Sequence, residues 1–519
     1  MSDESTECCA SCPEQAAKPS GCCAEKPKKA FREHPASVST HFTWEVDGEK
    51  LGYTATAGHT DIREDCGAPI GSFFCLSYVA DAPEACPAAD SCADAPAPTN
   101  PRPVTFAFNG GPGSASVPIN VGGIGPRRVV PNADRRIGPA PVELEDNPYT
   151  LLGESDLVFV DALGTGWSDL AEGVKPERAW GVDKDADCFA RLIYAWLEKT
   201  GRWNSPIYLY GESYGTTRNA VLCRVLEDRG IACNGVVLLS AILDWTPTIP
   251  GNDSNYVQLF PTFASIANYH GKCDAAKGKT DDELFEAACA FAEDKLAPAL
   301  LKGDRLDKDE EEKLAEQMSD FLGLSKKYLR RKHLRVELTD FRYELLGDDN
   351  KVVGRLDGRF SNDAGNFLQT SREGVDEEDP ASSAMSAAWD AGWHHIVGAE
   401  IGYHNDKPYL PSNYEKIGPK WDHKHTSTGA QWSANTPNVT YDLAYTMRHN
   451  PTMKVLVLGG RYDLATPFLG PIEDIARMYL SDEIKKNLTF KLYDAGHMIY
   501  VNTDAFKKLV KDVRAFYEA

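Results

Sequence analysis

The sequence predicts an α/β protein: a mostly parallel central sheet flanked by helices, with a largely helical segment inserted into it. Three observations predict this. Short apolar runs recur along the chain, as in VTFAF (104–108), DLVFVDAL (156–163), GVVLLSAIL (235–243) and KVLVL (454–458). Such runs read as strands buried on both faces. Stretches of helical period alternate with them. Between residues 251 and 429 the pattern changes to charge-rich helix formers, and the short apolar runs then return.

Each element follows in order. Residues 1–36 read as a flexible, cysteine-rich tail. Its Cys8, Cys9, Cys12, Cys22 and Cys23 include a C-x-x-C spacing that could hold a soft metal. The flanking Glu, Lys, Ser and Pro favour a disordered tail instead. From Val38 to Leu76 apolar and polar residues alternate, as in HFTWEV, which predicts antiparallel strands. CPAADSCADAPAPTNPRP (86–103) reads as a loop. VTFAF and DLVFVDAL are strands. A helix is predicted over 183–198, with Phe189, Leu192, Ile193 and Trp196 on one face. PIYLY (206–210) is the next strand, and YGTTRNAVLCRVLEDRG a helix capped by Gly230.

GVVLLSAIL then closes the first part of the core, 37–250. The inserted cap, 251–429, contains DDELFEAACAFAEDKLAPALL and DKDEEEKLAEQMSDFLGL, whose charge run reads as a solvated helix face. The second part of the core, 430–519, supplies the strand KVLVL, the helix PIEDIARMYL, the strand NLTFKLY and a terminal helix over 504–517. No internal repeat is evident.

Bulk properties exclude some functions. At 519 residues the chain exceeds one compact core. Its net charge of −22 repels phosphate backbones and anionic lipid, so neither nucleic acid nor membrane is the expected partner. No apolar run reaches the roughly 18 residues of a membrane-spanning helix. The N-terminus, MSDESTECC, has no basic and apolar leader, so a cytoplasmic location is expected. In that compartment the 14 cysteines are expected to be mostly thiols.

The chemistry centres on Gly211-Glu212-Ser213-Tyr214-Gly215, a G-x-S-x-G motif. Alone the pentapeptide also marks a plain tight turn. Placed between a strand and a helix, it predicts a nucleophile elbow and an α/β-hydrolase fold. A serine nucleophile needs a base, and the base needs an orienting acid, in chain order Ser, acid, His. Asp463 follows KVLVL and His497 follows NLTFKLY. Both therefore lie at carboxyl ends of strands, on the edge where Ser213 emerges. His497 would accept the Ser213 proton, and Asp463 would hold its tautomer. Taken singly, a strand-end Asp can simply cap its loop and a His can be structural.

Asn109-Gly110-Gly111-Pro112-Gly113-Ser114 offers close-approaching N–H groups, as an oxyanion hole requires. The competing dinucleotide fingerprint fails, because Ser116 replaces its third glycine and Pro112 removes a donor. His394, His395, His404, His423 and His425 lack a regular ligand spacing. No metal and no cofactor is expected at the serine site.

NGGPGSAS (109–116), GESYGT (211–216), GGRYD (459–463) and DAGHM (494–498), with FVDALGTGWS (159–168), resemble the serine carboxypeptidases, the peptidase S10 family, in a bacterial-type form. The resemblance spans residues 40–516. It implies an α/β-hydrolase core with a cap, and release of single amino acids from peptides with a free C-terminus. Carried over motif by motif, Ser213, Asp463 and His497 form the triad. Gly111 and Tyr214 N–H groups form the oxyanion hole. Asn109, Gly110 and Glu212 bind the substrate's terminal carboxylate. Two facing carboxylates repel unless they share a proton, so Glu212 can serve only when protonated.

Two positions depart from the family. Gly123 stands where members often carry a second, buttressing glutamate. Ser114 stands where secreted members have a disulfide cysteine, a loss that fits a reducing compartment. Two alternatives remain at this point. One is an esterase or acyltransferase on the same triad. The other is a non-catalytic, cysteine-rich metal-handling or scaffold protein.

Overall fold

The structure is a computed structural model that describes residues 30–82, 102–131, 140–364 and 379–518. The five tail cysteines and nearly all of the Ala/Pro-rich loop lie outside the described residues. An antiparallel meander opens the fold: β1 (Val38–Val46), β2 (Glu49–Arg63) and β3 (Pro69–Ala80). Six shorter strands follow: β4 (Val104–Phe108), β5 (Asp156–Val160), β6 (Ile207–Glu212), β7 (Gly235–Leu239), β8 (Lys454–Gly460) and β9 (Leu488–Tyr493). Their order across the sheet is β1-β2-β3-β5-β4-β6-β7-β8-β9. From β5 to β9 every pairing is parallel. Strands β4 to β7 are buried on both faces, the pattern of a sheet sandwiched between layers.

Helices fill both layers. Those that matter here are α1 (Val182–Thr200), α2 (Tyr214–Glu227), α3 (Ser254–Tyr269), α4 (Asp281–Phe291), α5 (Lys308–Leu322), α6 (Ser386–His394), α7 (Thr440–His449), α8 (Leu469–Ala476) and α9 (Thr503–Glu518). On one face α1, α2 and α7 bury Phe189, Leu192, Ile193, Trp196, Leu222 and Met447. On the other, α9 buries Phe506 and Val513 in the same cluster as Tyr208 and Tyr210 of β6, while α6 packs Trp393 on Phe74 and Tyr409 and Trp389 on Tyr500. Each such side chain contributes roughly 1.5–3 kcal/mol of transfer free energy. Helices α3, α4 and α5 share an apolar cluster of their own, which extends to Tyr462 and Leu464 in the loop after β8 and to Leu469 of α8. The insertion is not wholly helical, for residues 351–353 and 361–363 pair as antiparallel strands. Among the described residues, no helix is long and apolar enough to cross a membrane.

This is the α/β-hydrolase architecture the sequence predicts. Several boundaries differ, and two show why. Strand β7 stops at Leu239, because Ser240 turns at φ 53° and gives its N–H to Leu458 O. Helix α2 stops at Glu227. Arg229 and Gly230 then bond three residues back, and Gly230 takes a left-handed conformation after this tighter turn. The topology also explains where a site can form. β4 lies between β5 and β6, so the chain leaves β4 in one direction and returns on its other side. The loops after β4 and β6 therefore meet at a switch point, the usual ligand crevice of an open α/β sheet.

Candidate active site

Ser213 is the one-residue turn between β6 and α2. Its φ is 59° and ψ −128°, a region that costs a non-glycine residue of order 1–3 kcal/mol. The fold holds it there. Ser213 N–H donates to Leu239 O at 2.9 Å, and its own carbonyl accepts from Thr216 N–H and Oγ1. The reversal is so tight that a Cβ on Gly211 would fall 2.4 Å from Gly215 O. Bulk is therefore excluded two residues before the serine.

The 109–116 loop after β4 lies against this elbow. A Cβ on Gly110 would be 2.5 Å from Tyr214 N and 2.7 Å from Glu212 O, so only glycine permits the approach. Among the described residues, the N–H groups of Gly111 and Tyr214 carry no hydrogen bond. Both remain available as donors. The loop is pinned from behind. Ser116 N–H donates to Asp161 Oδ1, Ser116 Oγ to Val160 O, and Ile119 N–H to Asn109 Oδ1. Arg218, wholly buried, donates to Asn109 O at 3.1 Å and to Asp185 at 2.6 Å. It also stacks over Phe108, Phe189 and Tyr214. Arg218 thus braces the loop and the elbow together.

Asp463 and His497 meet as the sequence predicts. His497 Nδ1 lies 2.7 Å from Asp463 Oδ2, with both side chains buried. Asp463 Oδ1 accepts from the N–H groups of Ala465 and Thr466, and Oδ2 from Thr466 Oγ1 at 2.6 Å. With its carboxylate so fixed, Nδ1 is the nitrogen that donates and Nε2 is left as the acceptor. Ser240 Oγ holds the His497 carbonyl at 2.6 Å, one residue along from the Leu239 carbonyl that holds Ser213. Burial lowers the His497 pKa, but Asp463 and Glu212 outweigh it, so the net shift is upward. No hydrogen bond between Ser213 Oγ and His497 occurs among the described residues.

Glu212 is the last residue of β6. Side chains alternate along a strand, so it shares a face with Tyr208 and Tyr210, the face covered by α9 and the 494–501 loop. It is 3% exposed, and burial pushes its pKa up to about 7. His497, Tyr500 and Asn109 oppose that rise, and Asp463 adds to it. Oε2 of Glu212 has no hydrogen bond among the described residues. Asn109, Gly110, Gly111, Glu212, Ser213 and Tyr214 are thus brought to one place. Sequence reading missed Arg218, Ser240, Thr466 and Tyr500. Only Arg218 carried a signal, as a charged residue on the buried stripe of α2.

The five cap histidines do not gather. His425 is held by Asp183 at 2.6 Å and Asp442 at 2.8 Å, and His394 packs edge-on to Tyr409. Among the described residues no group of three or more His, Cys, Asp or Glu is arranged for a metal, and Cys75, Cys188, Cys223, Cys233, Cys273 and Cys289 form no disulfide.

Residues 93–229 match the model of the peptidase S10 family, described as serine carboxypeptidase, which bears out the resemblance of the first two motifs. The match ends before Asp463 and His497. No curated protein matches the chain. Among solved structures, a proline iminopeptidase of Mycobacterium smegmatis is similar at 11% identity and a TM-score of 0.34, covering 89% of this chain and 98% of that one. Est816, described as an N-acyl homoserine lactone degrading enzyme, is similar at 12% identity and a TM-score of 0.32, covering 87% and 99%.

Proposed function

We propose that this α/β-hydrolase is a serine carboxypeptidase, removing the last residue from peptides with a free C-terminus. Ser213 Oγ attacks the last peptide carbonyl while His497 Nε2 takes its proton. The N–H groups of Gly111 and Tyr214 receive the developing oxyanion. His497 then protonates the leaving amine, the free amino acid departs, and water hydrolyses the Ser213 acyl-enzyme. Asp463 keeps the imidazole oriented and stabilises its charged form.

The observation that carries the reading is the buried carboxyl of Glu212, next to the serine and with one oxygen that carries no hydrogen bond among the described residues. An ester substrate without a carboxylate offers this group nothing to pair with. A terminal carboxylate, in contrast, can accept from protonated Glu212, from Asn109 Nδ2 and from Gly110 N–H. Burial keeps Glu212 protonated up to about pH 7, which makes such an encounter possible.

Mass spectrometry of peptide digests tests this. Wild type should produce ladders shortened from the C-terminus, and Ser213→Ala should produce none. Amidation of the C-terminus should reduce kcat/KM by roughly 10²-fold or more, the scale of a lost charged contact. Equal rates on acid and amide would instead favour an esterase or acyltransferase on the same triad. Internal cleavage would overturn the exopeptidase assignment.

A further inference from the structure

Two buried polar atoms near the serine carry no hydrogen bond among the described residues, and they belong together. One is Glu212 Oε2 and the other is the phenol oxygen of Tyr500, in the short helical turn Ile499–Val501. Tyr500 is 2% exposed. The two groups act on each other, for the phenol pulls the Glu212 carboxyl down while the carboxyl raises the phenol. The ring has a specific seat. A Cβ on Gly123 would lie 3.6 Å from Tyr500 Cδ1 and 3.7 Å from Cγ. A longer side chain at 123, such as the glutamate whose absence the sequence shows, would have to compete with the ring for this space.

We propose that Tyr500 is the positioning residue of the carboxylate subsite: its phenol O–H donates to one oxygen of Glu212 and leaves the other to meet a substrate carboxylate. The proposal deepens the exopeptidase reading and rests on it. A phenol is a donor at every working pH, because burial holds it well above its ordinary range. As a donor it pairs with the carbonyl oxygen of a neutral carboxyl, or with either oxygen of a carboxylate. The acidic proton of Glu212 is then forced onto the other oxygen. Asn109 supports the same orientation. Its Oδ1 is occupied by Ile119 N–H, so Nδ2 is the atom it offers.

The groups bearing on Glu212 are Tyr210 of its own strand, His497 and Asp463 from the loops after β9 and β8, Tyr500, and Asn109 of the loop after β4. Of these, Tyr500 and Asn109 act on Glu212 through side-chain hydrogen bonding rather than charge. Because the phenol does not titrate in the working range, a single proton on Glu212 should govern the alkaline limb.

Infrared difference titration of the full chain tests the pairing directly. The protonated-carboxyl band of Glu212 is identified by its loss in Glu212→Gln. Its midpoint should move up by roughly one pH unit in Tyr500→Phe, the size of one hydrogen bond lost from a charged acceptor. On peptides with a free C-terminus, the alkaline limb of kcat/KM should move with it. KM at acid pH should rise severalfold, with kcat less affected and amidated peptides unchanged. An unshifted carboxyl midpoint in folded Tyr500→Phe overturns the proposal. Tyr500→Met, also without a hydroxyl, takes its place if the Phe variant does not fold. A shifted midpoint in a protein that trims no C-terminus upholds the pairing and removes the exopeptidase reading instead.

Discussion

Asp463, His497 and Glu212 act on one another electrostatically, and under the proposed reaction substitutions there and at Ser213 should reveal it. Ser213→Ala should lower kcat by about 10³–10⁶-fold, as loss of a covalent nucleophile does. Asp463→Asn should cost roughly 10³–10⁴-fold, because the amide favours the wrong His497 tautomer. Both are read from kcat in steady-state assays, with circular dichroism to verify folding. The pH dependence has a definite sign. His497 works as a base only when neutral, and its pKa is raised, so activity falls on the acid side. Glu212 serves only when protonated, so activity toward free C-termini falls as pH rises through about 7. Ionised Glu212 raises His497, while charged His497 lowers Glu212, so the limbs belong to the pair. Glu212→Gln removes a negative charge beside His497. The acid limb should therefore move to lower pH, and the alkaline limb should disappear. Profiles of kcat/KM from about pH 4 to pH 9 decide it, and an acid limb that stays in place would count against the coupling.

At the scale of elements, much of this arrangement was legible. The apolar runs located β4 to β9, and the G-x-S-x-G turn between a strand and a helix located the elbow. Asp463 and His497 were legible because strand ends fall on one sheet edge whatever the loops do. Glu212's side of the sheet follows from strand alternation alone. The rest depends on what packs against those strands. Ser240 and Thr466 act through backbone geometry and a single hydroxyl, which leave no pattern. Tyr500 sits opposite Gly123 only once the chain has folded, across hundreds of residues.

His425 is another example. From the sequence it was one of several cap histidines. In the fold its two ring nitrogens join Asp183 of α1 and Asp442 of α7, and so fasten the end of the insertion to the core. These pairs raise its pKa to about 9 against the pull of burial. His425→Ala should leave Asp442, wholly buried, with its charge less compensated. A loss of about 3–5 kcal/mol in denaturant unfolding is expected, the cost of breaking a buried pair. A loss under about 1 kcal/mol would show that Arg224, 2.8 Å from Asp442, suffices alone.

Across the whole molecule the same protons set the pH range of stability. Burial raises Asp161 to about 6, Glu212 to about 7 and Asp474 to about 8. Asp474 is further raised by Asp244 beside it. Each holds a proton that the unfolded chain releases near pH 4. Their contribution to stability is fully present below that value and is lost as pH rises through the folded pKa. His425 adds a term of the same sign, complete below about 6.5 and lost through about 9. Salt-bridged carboxylates such as Glu64 and Asp187, lowered by their arginines, act the other way. Their stabilisation fades only below about pH 4. The formal net charge of −22 counts every acid as ionised, so the protein approaches it only as these groups lose their protons, and self-repulsion grows with it. Tm should therefore be highest in mildly acidic solution and fall steadily from about pH 5 to pH 9. Unfolding near pH 7 should release protons, measurable by calorimetry in buffers of different ionisation enthalpy. Asp474→Asn keeps an oxygen for the Asp244 N–H, 3.1 Å from Asp474 Oδ2, and removes the titration. It should flatten the fall in Tm between about pH 5 and pH 8 and reduce the proton release. A wild-type Tm that is level or rising over that interval would mean that the buried acids are ionised in the folded protein, and Glu212 could then not meet a substrate carboxylate at neutral pH.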